Sequence, residues 1–209
     1  MEKRFSWLFE IEPKAARPLW DRVVVSDGRA KSIPSKGSIV PGWVLTFATR
    51  ETVNLKDLNR DERGAVLTQA ECAAEVVAKL GGRVFQFEHG AGKVGSVVGC
   101  GLDIAHLHTV PLSFDLIEAV QRRAGDTVTW RAVSELADPW SEIRADEYIV
   151  VRELATGRAI IGEVRVPTSQ LVRKVIASEM GVSDNWDYRT FPGHLNVEAT
   201  VQAFRADAP

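Results

Sequence analysis

The chain has little that can be cross-linked or clamped by metal. Its 209 residues include two cysteines, Cys72 and Cys100, and neither has a C-x-x-C partner. That argues against a disulfide framework or a structural zinc site, and it fits a reducing, cytoplasmic compartment. Charge of one sign is also scarce: 26 Lys and Arg against 28 Asp and Glu leave a formal net charge of −2. No global field therefore draws the protein to nucleic acid. No apolar run is long enough to span a bilayer, so no membrane partner is expected. Residues 1–12 carry both charge signs and lack the basic-then-apolar order of a signal peptide. Internal repeats and low-complexity linkers are missing as well. Histidine is sparse, with His89, His106, His108 and His194 the full set of four.

What is present is an ordinary globular composition. Apolar residues make up 45% and charged residues 26%, enough for one core and too apolar for disorder. Six tryptophans point to core and interface packing. The element pattern predicts one compact α+β domain in three parts. These are an N-terminal arm (1–20), a core (21–111) and a C-terminal α/β extension packed on it (112–209).

Within the arm, Phe5, Leu8 and Phe9 are placed to dock on the body. Short strands are expected at 23–25 and 30–33, with Pro34 and Pro41 bracketing a loop, and a further strand at 43–48. Residues 59–80 read as the clearest helix. Asn59 followed by Glu62 resembles a capping box, and Val66, Ala70, Ala73, Val77 and Leu80 form one stripe. Gly81 and Gly82 end it. A strand at 84–88 leads into residues 89–101, which contain five glycines. A strand at 102–110 follows, closed by Pro111. Farther on, helices are expected at 114–123, 169–180 and 196–204, the last capped by Asn196. Strands are expected at 127–133, 147–153 and 159–165, the last two joined as a hairpin at Thr156 and Gly157.

Chemistry concentrates at Ala105-His106-Leu107-His108-Thr109. On a strand, residues two apart share a face, so His106 and His108 set two imidazoles side by side. The preceding glycines bring backbone N–H groups close enough to form an anion nest. An H-x-H pair also fits two hydrogen-bonded imidazoles in a core, or two metal ligands on a strand.

The run from Gly99 through Cys100, Gly101, Leu102, Asp103, Ile104, Ala105, His106, Leu107 and His108 to Pro111 resembles the histidine-triad signature. It is most similar to bacterial members that read Asp-His-Ala-His-Leu-His before two apolar residues and a proline. The stretch from Pro41 to Phe47, then Asn54 to Leu58, resembles that family's strand and helix entry. Phe87-Glu88-His89-Gly90 resembles the strand before its phosphate loop. Residues 170–174 and 186–189 resemble the C-terminal part of the bacterial group. The similarity covers most of 20–205. Two positions differ: Ile104 stands where the triad has its first histidine, and Glu51 lies where many members carry another.

The resemblance implies an antiparallel sheet with packed helices and a homodimer. It makes His106 the nucleophile that attacks the α-phosphorus of a nucleotide, with His108 near the phosphate oxygens and leaving group. Gly99, Cys100, Gly101 and Lys93 would then bind phosphate. Ile33, Pro34, Ser35, Glu88, His89, Gln170 and Arg173 would line the nucleoside pocket or hold the substrate. The reaction would be nucleotidyl hydrolysis or transfer on an anhydride, ester or phosphoramidate. No cofactor is required, and His106 with His108 would be the ligands if a divalent metal binds. Two alternatives are a nucleotide-binding module with little catalysis, and a redirected, metal-assisted enzyme of specialised metabolism.

Overall fold

The computed structural model describes residues 3–9, 17–98, 102–133 and 138–207. Its centre is one sheet of β1 (Val25–Ser26), β2 (Ala30–Pro34), β3 (Val44–Ala48), β4 (Arg83–Gly90), β5 (His106–Leu112), β6 (Val128–Val133), β7 (Tyr148–Glu153) and β8 (Ala159–Val164). The strand order is β1-β2-β3-β5-β4-β7-β8-β6, and every neighbouring pair is antiparallel. The main helices are α1 (Arg60–Ala78), α2 (Leu116–Ala124), α3 (Leu171–Glu179) and α4 (His194–Ala206). The architecture is α+β. Through the pairing of β7 with β4, strands β7, β8 and β6 extend the same sheet. Among the described residues no helix is long and apolar enough to cross a membrane.

Strand alternation gives the sheet two faces, and both are covered. On one, Phe85, Phe87, Val110, Ile149, Val151 and Ile160 pack with Leu116 and Val120 of α2 and Val172 and Ile176 of α3. On the other, Ala48, Leu107, Val150 and Ile161 pack with Val66 and Ala70 of α1. The N-terminal 3-10 turn Lys3–Phe9 places Phe5, Trp7 and Leu8 in a cluster with Ile33, Leu45, Phe47, Leu102 and Ile104.

Helix α1 begins where its local chemistry dictates. The Asn59 side chain accepts from the Glu62 N–H, and the Asn59 N–H donates to the Glu62 carboxylate, both at 2.9 Å. Val66, Ala70, Ala73 and Val77 are buried as the stripe predicts, but Leu80 lies past the helix end and is 44% exposed.

Other boundaries move for identifiable reasons. Residues 102–105 are not strand. Ala105 N–H instead donates to the Thr52 carbonyl, and β5 starts at His106. Pro111 does not close β5 but sits inside it, opposite Val84. The ladder to β3 already ends at Thr109, so a residue without N–H is tolerated there. Pro34 likewise ends β2 rather than opening a loop. The first short strand is Val25–Ser26, since Val24 is held outside the ladder by a bond to the Ser32 carbonyl. Asn196 does not cap α4. The helix starts earlier, after Gly193 at φ 66°, and the Asn196 amide donates to the carbonyls of Ser38 and Ile39.

Candidate functional site

Register alone assembles the histidines. From β3, Phe47 lies opposite His106 and Leu45 opposite His108. From β4, Phe87 lies opposite His108, and continuing that register sets His89 across from His106. Three imidazoles thus share the sheet face that α3 covers, and all three are buried. The rings of His106 and His108 are 4.8 Å apart at 63°. Phe87 stacks on His108 at 4.2 Å and 6°, and Phe47 lies over His106 at 5.6 Å. Aromatic neighbours on both strands therefore fix the ring planes.

Hydrogen bonds then fix where the protons are. His106 Nδ1 lies 2.7 Å from the Ile104 carbonyl oxygen. A carbonyl only accepts, so Nδ1 carries the proton and Nε2 is left with a bare lone pair. His108 is arranged the other way round. Trp43 Nε1–H donates to His108 Nδ1 at 3.0 Å, so the proton of the neutral ring sits on Nε2. That Nε2 is enclosed and has no hydrogen-bond partner among the described residues. His89 Nε2 accepts from the Val172 N–H at the start of α3, at 3.3 Å. The pair on β5 therefore presents one lone pair and one N–H, from two residues of the same type.

Burial keeps these rings neutral. It pulls His106 down to about 4, against a partial upward pull from the Ile104 carbonyl. It pulls His89 down to about 3, helped by His106 and Arg173. His108 is driven well below its ordinary value by burial, then by His106, His89 and Arg173. A neutral His106 is the nucleophilic form, so near pH 7 the ring needs no deprotonation.

A cavity of about 30 Å³ opens on the pair. Its walls include His106, His108, Ser35, Gln170, Arg173 and Phe5. Arg173 is buried, and its guanidinium stands over the Trp43 ring at 4.6 Å. It donates to the Trp186 carbonyl at 3.0 Å, to Ser35 Oγ at 3.4 Å and to the Gly37 carbonyl. Gly37 adopts φ 75°, and a Cβ there would overlap both Tyr188 and Arg173. Phe5 closes another side, with its ring 5.4 Å from Phe47. The N-terminal turn thus lies over the ring that lies over His106.

The sequence-derived residues separate clearly. His106, His108, Ser35, Gln170 and Arg173 line one cavity, and His89 stands beside them on β4. Ile33 belongs to the apolar cluster under Phe5, and Pro34 ends β2 next to Ser35. Glu88 does not join them, because it projects from the opposite sheet face. There it accepts from Leu55 N–H, Trp140 Nε1–H and Tyr148 OH. Burial raises its carboxyl to about 7 in spite of those donors. Lys93 is exposed and lines a separate hollow with Asp146 and Glu147. Gly99, Cys100 and Gly101 lie outside the described residues. Glu51 is exposed. Lys174 sits over Trp186 at 4.5 Å, and Tyr188 rather than Trp186 reaches the cavity.

Sequence reading missed three contributors. Trp43 sets the His108 tautomer, Phe47 lies over His106, and Lys36 joins the cavity wall. Position in the β3 register signals Phe47, which is two residues from Leu45. Nothing local signals the other two.

Among the described residues no group of three or more His, Cys, Asp and Glu side chains is disposed to hold a metal. His106 and His108 are the pair that could bind one. Ligation through both Nε2 atoms would force the His108 proton onto Nδ1, where it would face the Trp43 N–H donor. The donor set fits a metal poorly for that reason.

No family model and no curated protein matches the chain. Among solved structures, yeast Ap4A phosphorylase Apa2 aligns at 12% identity and a TM-score of 0.38, over 85% of this chain and 72% of that one. A likeness at that level establishes neither family nor activity.

Proposed function

We propose that this protein transfers a nucleotidyl group through His106, cleaving a nucleoside phosphate anhydride, ester or phosphoramidate by histidine-triad chemistry. The observation that carries this reading is the complementary tautomer pair on β5. His106 with its bare Nε2 and His108 with its proton on Nε2 line one cavity.

In the first step the His106 Nε2 lone pair attacks the α-phosphorus. The bond to the leaving group breaks, its electron pair departs with that group, and an alcohol or amine leaving group takes its proton from solvent. The ring becomes a nucleotidyl-imidazolium. Its remaining proton, on Nδ1, stays bonded to the Ile104 carbonyl, which stabilises the positive charge. His108 donates a hydrogen bond to a phosphoryl oxygen and keeps its proton, since losing it would leave an imidazolate. Arg173 and Lys36 add positive charge at the cavity wall. In the second step water or another acceptor attacks phosphorus, and the electron pair of the N–P bond returns to Nε2. No part of this path uses a metal.

Intact-protein mass spectrometry tests the reading. The protein is incubated briefly with adenosine and guanosine phosphoanhydrides and phosphoramidates, beside His106→Ala. A nucleoside-monophosphate adduct on the parent and none on the variant is the expected result. Bound nucleotide with neither adduct nor turnover would replace the enzyme with a binding module.

A further inference from the structure

We propose that Gln170 determines the acceptor specificity of this site, by positioning a proton-bearing group, with water the simplest case, for discharge of His106. The inference rests on the nucleotidyl-transfer reading above.

Three observations meet at this residue. Gln170 is 2% exposed and lines the cavity with His106 and His108. Its Oε1 is enclosed and accepts no hydrogen bond among the described residues. Its backbone, at φ 56° and ψ 34°, is the only positive-φ position among the described residues that is not glycine.

A buried amide oxygen without a partner is costly, and so is a left-handed glutamine. Glycine would relieve both. The residue instead combines an unfavourable backbone with an unsatisfied side chain, at the first position before α3. Neither feature helps the fold. Such combinations occur where the strained group serves a ligand.

The unmatched atoms specify that ligand. His108 Nε2–H is an unmatched donor, and Gln170 Oε1 is an unmatched acceptor. A phosphoryl oxygen satisfies the first but has no proton for the second. With the first taken by the phosphoryl oxygen, water, a hydroxyl or an amine brings a proton for the second and keeps a lone pair for phosphorus. The cavity of about 30 Å³ suits an occupant of that size, since a water needs roughly 10–15 Å³ measured this way. In the discharge step the acceptor oxygen or nitrogen forms a bond to phosphorus, and the Nε2–P bond breaks with its pair returning to His106. The spare acceptor proton passes to solvent. Gln170 takes no proton; it orients the attacking atom.

The test is a quenched time course of adduct formation and decay by intact mass, on the full chain, with Gln170→Gly and Gln170→Leu. Gly removes the amide and relieves the left-handed strain, so its melting temperature should match or exceed that of the parent. Adduct decay should slow by about tenfold in both variants, the rate equivalent of one lost hydrogen bond. Adduct formation should change by less than about threefold on the same scale, so the adduct accumulates. Decay unchanged in both variants, or formation and decay falling together, would overturn the role given to Gln170 and leave His106 untouched. A parent that forms no adduct would instead overturn nucleotidyl transfer itself, and this inference with it.

Discussion

At the scale of single residues, the chemistry depends on two hydrogen bonds that orient rings of the same kind in opposite senses. Ile104 occupies a position where the histidine-triad pattern has histidine, and an isoleucine side chain cannot orient an imidazole. The orientation comes from its backbone carbonyl, 2.7 Å from His106 Nδ1. Any residue at that position supplies a carbonyl, so the substitution leaves this bond in place. His108 depends on a side chain instead. Trp43→Phe keeps the aromatic packing and removes the N–H donor. Its Nδ1 is then unsatisfied, at a cost of about 1–3 kcal/mol. Long-range proton–nitrogen NMR should show His108 moving from a single Nε2–H tautomer to a mixture, and adduct formation should slow. An unchanged nitrogen spectrum would mean that Trp43 does not set the tautomer.

At the scale of elements, local signals were readable and long-range ones were not. The start of α1 was legible because Asn59 and Glu62 satisfy each other within one turn. Asn59→Ala should cost about 1 kcal/mol and lower the melting temperature by roughly 2–4 °C, with the rate of adduct formation unchanged. The start of α4 was not legible, because Asn196 is used by two carbonyls far away in sequence. The N-terminal turn Lys3–Phe9 shows the same contrast. Its apolar residues predicted docking, but only the packed structure shows that they dock over the histidine face. Phe5 of this turn walls the cavity beside His106 and His108. Phe5→Ala removes the ring that covers Phe47. It should speed adduct formation while lowering thermal stability. Slower formation in that variant would instead make Phe5 part of the binding surface.

At the scale of the whole molecule, the buried titratable groups pull stability in opposite directions with pH. The ordinary histidine value is 6.5, and the native values are about 4 for His106 and about 3 for His89, with His108 also lowered. Below pH 6.5 the unfolded chain takes up protons that the native state refuses. The contribution of these rings is therefore full above pH 6.5 and declines as pH falls toward their native values. Glu88 has the reverse sign. Its native value of about 7 lies above the ordinary 4.5, so its contribution is present below pH 4.5 and is lost as pH rises through 7. Between pH 6.5 and 4.5 three imidazoles outweigh one carboxyl, and the melting temperature should fall on acidification. Glu88→Gln removes the opposing contribution and should steepen that fall. Calorimetry from pH 8 to 4.5 on both proteins checks the sign. The sequence by itself determined the element types, the α1 cap and the placement of His106 and His108 on one strand face, because these follow from neighbours within a few residues. It also suggested Glu88 for the nucleoside pocket or the substrate, and strand alternation puts that side chain on the other face. Tertiary structure decided the rest. It brought Trp43 to His108, delivered Arg173 from α3 and Gln170 from the position before it, and laid Phe5 across the cavity. Those contacts join residues far apart in sequence, and only the strand order and the packing of helices on the sheet could set them.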